Sequence, residues 1–147
     1  MSDTQASCIF CKIIAGEVPS HTVYSDDKVI AFLDIRPINP GHTLVVPKAH
    51  VASLGELSSP VDGHLFQIAR LIAAALFKSG LRCEGINLLL SDGKAAFQEI
   101  PHIHLHVIPR FQGDSIRLQA GPDYGKTPPA NELIENADKI RSALKES

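Results

Sequence analysis

The chain has 147 residues, with 14 basic and 16 acidic side chains and a formal net charge of −2 when histidine is neutral. That length fits one domain with a tail and is ample for a core, while the near-neutral balance offers no cationic field for a phosphate backbone and so excludes a general nucleic-acid binder. The apolar runs are too short for a membrane span, and the polar start MSDTQAS lacks a basic-then-apolar leader pattern, so the expected address is cytosolic.

Residues 1–7 are expected to be disordered. CIFCKIIAG (8–16) predicts a short helix stopped by Gly16. A hairpin follows, with strands near 21–25 and 28–34 and Asp26-Asp27 at the turn. In the second strand Asp34 falls on the same side as Phe32. RPINPGH is a Pro/Gly loop, and 42–47 is the next strand. A helix is predicted over 60–79, with Ser59 as N-cap, Pro60 in the first turn and Asp62 at the capping-box spacing. Its apolar stripe is Val61, Leu65, Ile68, Ala69, Ile72, Ala75 and Leu76. INLLLS (86–91) reads as a strand, 91–97 as a loop and HIHLHVIP (102–109) as another strand. The segment 119–130 is irregular, and Asn131 caps a last helix through about Leu144. No internal repeat or low-complexity segment occurs. The order predicts an α+β domain: an antiparallel sheet of about five strands, one long helix over one face, a short N-terminal helix and a helical C-terminal tail.

In HIHLHVIP, strict alternation sends His102, His104 and His106 to one face and Ile103, Leu105 and Val107 to the other. Successive imidazoles would stand roughly 7 Å apart on a shared surface. Three readings compete. The face is merely polar; or it is a metal site, because imidazole is a common ligand; or it is a phosphate site with a nucleophilic imidazole. A neutral imidazole nitrogen can attack phosphorus when a hydrogen bond at the other nitrogen fixes the tautomer. Flanking imidazoles can hydrogen-bond phosphate oxygens and the leaving group. The SDGKAAFQ loop, with Ser91, Gln98 and backbone amides, could complete the cradle.

The run His102 to Ile108 resembles the histidine-triad signature, His-φ-His-φ-His-φ-φ, with φ apolar. CIFCKIIAGEVPS, the DDKVIAFLDIRPINPGHTLVVPKAH block, the Gly93–Gln98 loop and IPR (108–110) agree in order and spacing. The chain is similar over 8–111 to the HIT superfamily, Hint-like branch, in a bacterial-type form, with 112–147 as a tail. The resemblance implies binding of purine nucleoside phosphates and cleavage at the α-phosphorus, with no cofactor required for the chemistry. His104 would be the nucleophile, oriented by the His102 carbonyl. His106 would contact the phosphate and assist the leaving group, with His42 supporting it. Asp34 would accept hydrogen bonds from the ribose hydroxyls. Ile9, Phe10, Val18, Phe32 and Ile35 would line the base pocket, and Ser91, Gln98 and the 91–99 loop would meet the phosphate. The family pattern also implies a homodimer with the long helix near its two-fold axis. Read alone, Asp34 is equally a turn residue, Phe32 a core aromatic, and His42 and Gln98 plain loop residues. His21 and His64 match nothing and are expected to be exposed.

Two positions depart from the pattern. Ser91 stands where many members carry Asn, and Phe97 where many carry Gly, which puts leaving-group preference in question. The three cysteines are too few for a disulfide framework and are expected as thiols or ligands. Cys8-x-x-Cys11 has the spacing of a thiolate pair on one metal. His50 and His102 are candidate third and fourth ligands of a closed, structural zinc site, of a kind some bacterial-type relatives carry. Otherwise both thiols are small apolar residues in the N-terminal turn. Two other functions stay open: a nucleotide sensor or partner protein with little turnover, kept open by Phe97, and a histidine-based metal hydrolase, which chelators would inactivate.

Overall fold

The computed structural model describes residues 3–117 and 119–146. The chain divides into two compact units, the first reaching Ser115 and the second beginning at Ile116. The first holds helices α1 (Asp3–Ser7) and α2 (Ile9–Ile14), strands β1 (Thr22–Ser25), β2 (Val29–Leu33) and β3 (Thr43–Pro47), helix α3 (Val61–Lys78), and strands β4 (Gly85–Leu90) and β5 (Leu105–Arg110). The five strands form one antiparallel sheet in the order β1-β2-β3-β5-β4. The second unit holds helix α4 (Ala130–Leu144). Its Leu133, Ile134, Ile140 and Leu144 are exposed.

The sheet is apolar on both faces in its middle. Val29, Ala31, Val45 and Val107 pack against Leu65, Ile68, Ala69 and Leu76 of α3. Alternate residues Ile30, Phe32, Leu44 and Val46 pack on the opposite face with Cys8 and Phe10. Strands β2 and β3 therefore read as continuous apolar runs, because neither face of them meets water. Burying one side chain of Leu or Ile size contributes about 1.5–3 kcal/mol, so these two layers fix the register of β2 against β3.

Several expectations are corrected. Of the segment expected to be disordered, residues 3–7 form a single helical turn, α1, ahead of Cys8, whose N–H bonds the Gln5 carbonyl at 3.2 Å, and residues 1–2 lie outside the described residues. At the start of α3 the N-cap is Pro60 without a side-chain bond, not Ser59. The Ser58 carbonyl accepts from Val61 and Asp62, and the Asp62 carboxylate turns to the Gly63 N–H, so no capping box forms. Ala73, not Ala75, packs toward the core. Pro129 precedes α4, which places Asn131 inside the first turn. The histidine strand starts late, because Ile103 donates to Val51 at 2.8 Å and the sheet pairing begins at Leu105. His102 and His104 thus belong to an arm leading into β5.

The loop between β2 and β3 is held close to the sheet. Gly41 has φ +95°, and a Cβ there would lie 2.9 Å from both Leu76 Cδ2 and Leu81 Cδ1. Only glycine permits this approach, and it sets the position of His42. Buried Asn39 donates from Nδ2 to the Pro109 carbonyl and to Asp114, both at 2.9 Å. Asp114 is clamped in turn by Arg110 through two bonds of 2.7 and 2.8 Å.

Candidate active site

Strand β5 and its leading arm place His104 and His106 with ring centroids 4.8 Å apart, closer than the strand repeat predicts. His102 leaves the expected row. Its ring is fully buried and faces Cys8 and Cys11, so the three imidazoles do not share one open surface. His42, immediately before β3, joins the remaining pair, with its Nε2 2.8 Å from His106 Nδ1. Phe10 closes the arrangement from below, edge-on to Phe32, His102 and His104.

Hydrogen bonding fixes the tautomers. His104 Nδ1 lies 2.8 Å from the His102 carbonyl, which can only accept, so this nitrogen carries the proton and Nε2 keeps its lone pair. The Ile38 N–H donates to His42 Nδ1 at 3.1 Å. Neutral His42 must then donate from Nε2 to His106 Nδ1, and neutral His106 keeps its proton on Nε2. One backbone amide thus sets two rings and presents an N–H beside a nucleophilic nitrogen.

The rings are held neutral. Burial lowers the pKa of His42, His102 and His104 below the usual imidazole value, with Asp34 opposing at His42 and Asp34 and Glu99 opposing at His104. His106 falls to about 4, chiefly by burial and further by the nearby His104 and His42. Such a cluster can offer a lone pair and a hydrogen-bond donor together at neutral pH.

Asp34 makes the turn contact expected of it when read alone, and its second oxygen faces the histidine cluster. Its Oδ1 accepts the Arg36 N–H at 2.9 Å, a turn contact, while Oδ2 stands 3.8 Å from His42 Nε2. Of the expected base-pocket residues, Phe10 and Phe32 are buried in the apolar layer, and Ile9, Val18 and Ile35 reach solvent. Gln98 braces its own loop. Its Oε1 accepts from Gly93 at 2.8 Å, and its Nε2 donates to Ala52 and Ile100 at 2.8 and 3.2 Å. Ser91 is half-buried. Phe97 is the positive-φ non-glycine residue of the described chain, at φ +63°, and 89% exposed.

The second cluster joins Cys8 and Cys11 at the start of α2 to His50 and His102. Their ligand atoms all lie within 4.8 Å of one another. Cys11 Sγ is 3.2 Å from His50 Nδ1, and Cys8 and Cys11 Sγ are 3.5 and 3.6 Å from His102 Nδ1. Zinc–sulfur and zinc–nitrogen bonds of about 2.3 and 2.0 Å in a tetrahedron give ligand separations of roughly 3.3–3.8 Å. His102 Nε2 lies 2.8 Å from the Pro47 carbonyl, which leaves the Nδ1 lone pair aimed at the thiols. The donor set fits zinc. The grouping Asp34, His42 and His106 is also compact, but there the His42 Nε2 proton is committed to His106, so a hydrogen-bond relay accounts for it.

Sequence reasoning missed the contact between Asp26 and His64. His64 Nε2 bonds Asp26 Oδ2 at 2.6 Å, tying the β1–β2 turn to α3, so His64 is half-buried and not exposed. The Asn39–Asp114–Arg110 anchor was missed as well. No local spacing signals the contacts of His64 with Asp26 or of Asn39 with Asp114, which join residues 38 and 75 positions apart; the Arg110–Asp114 pair of the anchor is local, at i,i+4.

Residues 15–113 match the HIT domain model. The chain belongs to the HIT family. This HIT protein is 45% identical over 114 residues to an uncharacterised HIT-like protein of Methanocaldococcus jannaschii, covering 78% of this chain and 87% of the relative. It is 34% identical over 140 residues to the adenosine 5′-monophosphoramidase of Schizosaccharomyces pombe, covering 95% and 99%. A zinc-bound histidine triad protein from Mycobacterium smegmatis superposes with a TM-score of 0.74 at 38% identity, covering 95% of this chain and 99% of that one.

Proposed function

We propose that this HIT protein is a nucleotide-binding hydrolase that cleaves purine nucleoside phosphoramidates, or related nucleotides, at the α-phosphorus through a nucleotidyl-histidine. The observation that carries the reading is the His104 Nδ1–H bond to the His102 carbonyl, which leaves Nε2 free beside the His106 N–H. His104 Nε2 attacks phosphorus, and the bond to the leaving nitrogen breaks. The departing amine takes a proton through the His106 Nε2–H. Water then attacks phosphorus, returns a proton to His106, and releases the nucleoside monophosphate from His104. Asp34 receives the ribose hydroxyls, Ile9, Val18 and Ile35 meet the base, Phe10 and Phe32 back the pocket, and the 91–99 loop with Ser91 and Gln98 surrounds the phosphate. The name of the fission-yeast relative supports the reaction class.

Cys8, Cys11, His50 and His102 are assigned to a structural zinc. When bound, the ion neutralises two thiolates and cross-links α2 to the arm before β5; the hydrolysis needs no open coordination position. Burial and the neighbouring Cys8 push the Cys11 thiol up to about 11, and a bound cation reverses that bias. The outer face of α3, the turn after it and the edge strand β4 expose Phe66, Phe77, Leu81, Leu88 and Leu89, which supports a homodimer through this side. Three cysteines without a disulfide, two of them assigned to zinc, suit a cytosolic setting. Among the described residues no helix is long and apolar enough to cross a membrane.

Rapid quench of the enzyme with an AMP–amine conjugate, read by peptide mass spectrometry, tests the mechanism. AMP on His104, with turnover abolished in His104→Ala, is the expected result. An adduct elsewhere, or full activity in the variant, refutes it. The sensor reading predicts tight AMP binding with no turnover of any conjugate.

A further inference from the structure

The mechanism leaves one charged pair at the rim of the site without a task. Arg36 Nη2 and Glu99 Oε2 stand 3.6 Å apart, with their side chains 82% and 78% exposed. Arg36 lies two residues beyond Asp34, whose carboxylate accepts its N–H. Glu99 follows Gln98, whose amide fixes that loop to Ala52 and Ile100. The pair therefore links the sugar side of the proposed site to the loop on its phosphate side. The two acids at this site differ in kind. Asp34 is tied into a turn and stands beside His42, whereas the contact found for Glu99 is a solvent-exposed ion pair, which is weak and yields readily.

An arriving phosphoryl group attracts Arg36 and repels Glu99, so the pair separates as the substrate binds. With the ribose at Asp34 and the phosphate at the 91–99 loop, as proposed above, a group beyond phosphorus would come near Glu99, which follows Gln98 in that loop. We propose that Glu99 is a specificity-determining residue whose carboxylate favours leaving groups bearing a positive charge, such as an amine with a second ammonium group, over leaving groups bearing negative charge. The inference rests on the α-phosphorus reading above.

Three AMP phosphoramidates of similar length test this, made from propane-1,3-diamine, propylamine and β-alanine. Their distal ends are cationic, neutral and anionic, while the bond cleaved is the same. The wild type is expected to rank them in that order by kcat/KM at low salt. In Glu99→Gln the cationic-to-anionic ratio falls about threefold to fivefold, as expected for a carboxylate about 8 Å from the distal charge and well inside the Debye length of about 30 Å at about 0.01 M salt. Glu99→Asp keeps the ranking, and about 0.5 M salt compresses the wild-type ratio toward that of the Gln variant. An unchanged ratio in Glu99→Gln, or a flat wild-type ranking, overturns the role of Glu99 while leaving the reaction intact. Failure to turn over any conjugate refutes the hydrolase reading instead; calorimetric affinities of the same three compounds then decide, and equal affinities overturn the charge preference too.

Discussion

The neutral state of His106 has a consequence for stability that can be measured apart from catalysis. The folded ring has a pKa near 4, against 6.5 for an unperturbed imidazole. Above pH 6.5 the ring is neutral both folded and unfolded, and its contribution to stability is fully present. As pH falls below 6.5, the unfolded chain takes up a proton that the folded ring refuses until about pH 4, so stability is lost through that window. Integrated down to pH 5 the loss is about 2 kcal/mol, and over the whole interval about 3 kcal/mol. His106→Asn removes the titration while its amide oxygen can still accept from His42. Urea unfolding at pH 7.5 and pH 5.0 should show the wild type losing about 2 kcal/mol more than the variant, a difference of roughly 1 M in midpoint for a domain of this size. Protonation of the other buried histidines contributes in both proteins, so the comparison reads the part carried by position 106 together with its coupling to His104 and His42. Parallel decline of the two proteins between these pH values would falsify the argument that burial holds His106 neutral. In the proposed reaction, proton uptake at Nδ1 also breaks the bond from His42, so kcat/KM should fall on the acid side well below pH 6.5.

His64, paired with Asp26, titrates with the opposite sign. The hydrogen bond to Asp26 raises the pKa of His64, so its stabilisation is full below 6.5 and is lost as pH rises through the raised value. The melting-temperature gap between wild type and His64→Gln should therefore narrow from pH 6 to pH 9, and a constant gap refutes the pairing. Gly41→Ala should destabilise by more than about 1 kcal/mol, from the positive φ and the contact with Leu76 and Leu81, as read by urea denaturation. At position 97, Gly should be more stable than Ala by about 1 kcal/mol, because only glycine occupies the left-handed region freely. Metal analysis of protein purified without a histidine tag should give about one zinc per chain, lost in Cys8→Ser with a lower melting temperature; near-zero zinc in both counts against the site.

The sequence made most of the sheet legible because its signals are local. Asp26-Asp27 marks a turn, Pro and Gly bound the β2–β3 loop, and the stripe through Leu65, Ile68, Ala69 and Leu76 has helical period. The errors come where a distant partner overrides a local preference. Val51 captures the Ile103 N–H and delays β5. Ser58 captures the first amides of α3 and displaces the expected cap. The alternation of HIHLHVIP correctly separates Ile103 and Val107 from the histidines, but it says nothing about rotation of a ring, and His102 is turned by Pro47 and two thiols far away in the chain. Neither Glu99 nor His64 belongs to a recognisable pattern, because a charge acting through space leaves no period in the sequence.

The direction of lone pairs separates the two histidine-containing clusters more sharply than composition does. At Cys8 and Cys11 the Pro47 carbonyl takes the His102 Nε2 proton and points Nδ1 at two sulfurs, as a metal ligand requires. At His104 the His102 carbonyl takes the Nδ1 proton and leaves Nε2 unengaged beside a donor, as a nucleophile requires. One residue thus serves both clusters, its ring in the first and its carbonyl in the second. A metal hydrolase would need inward lone pairs at His42 and His106, and the Ile38 amide directs the His42 proton there instead. Chelation is therefore expected to act on folding, through α2 and the arm before β5, and an enzyme that lost activity at once while its fold and His104 environment stayed intact would contradict that division of labour.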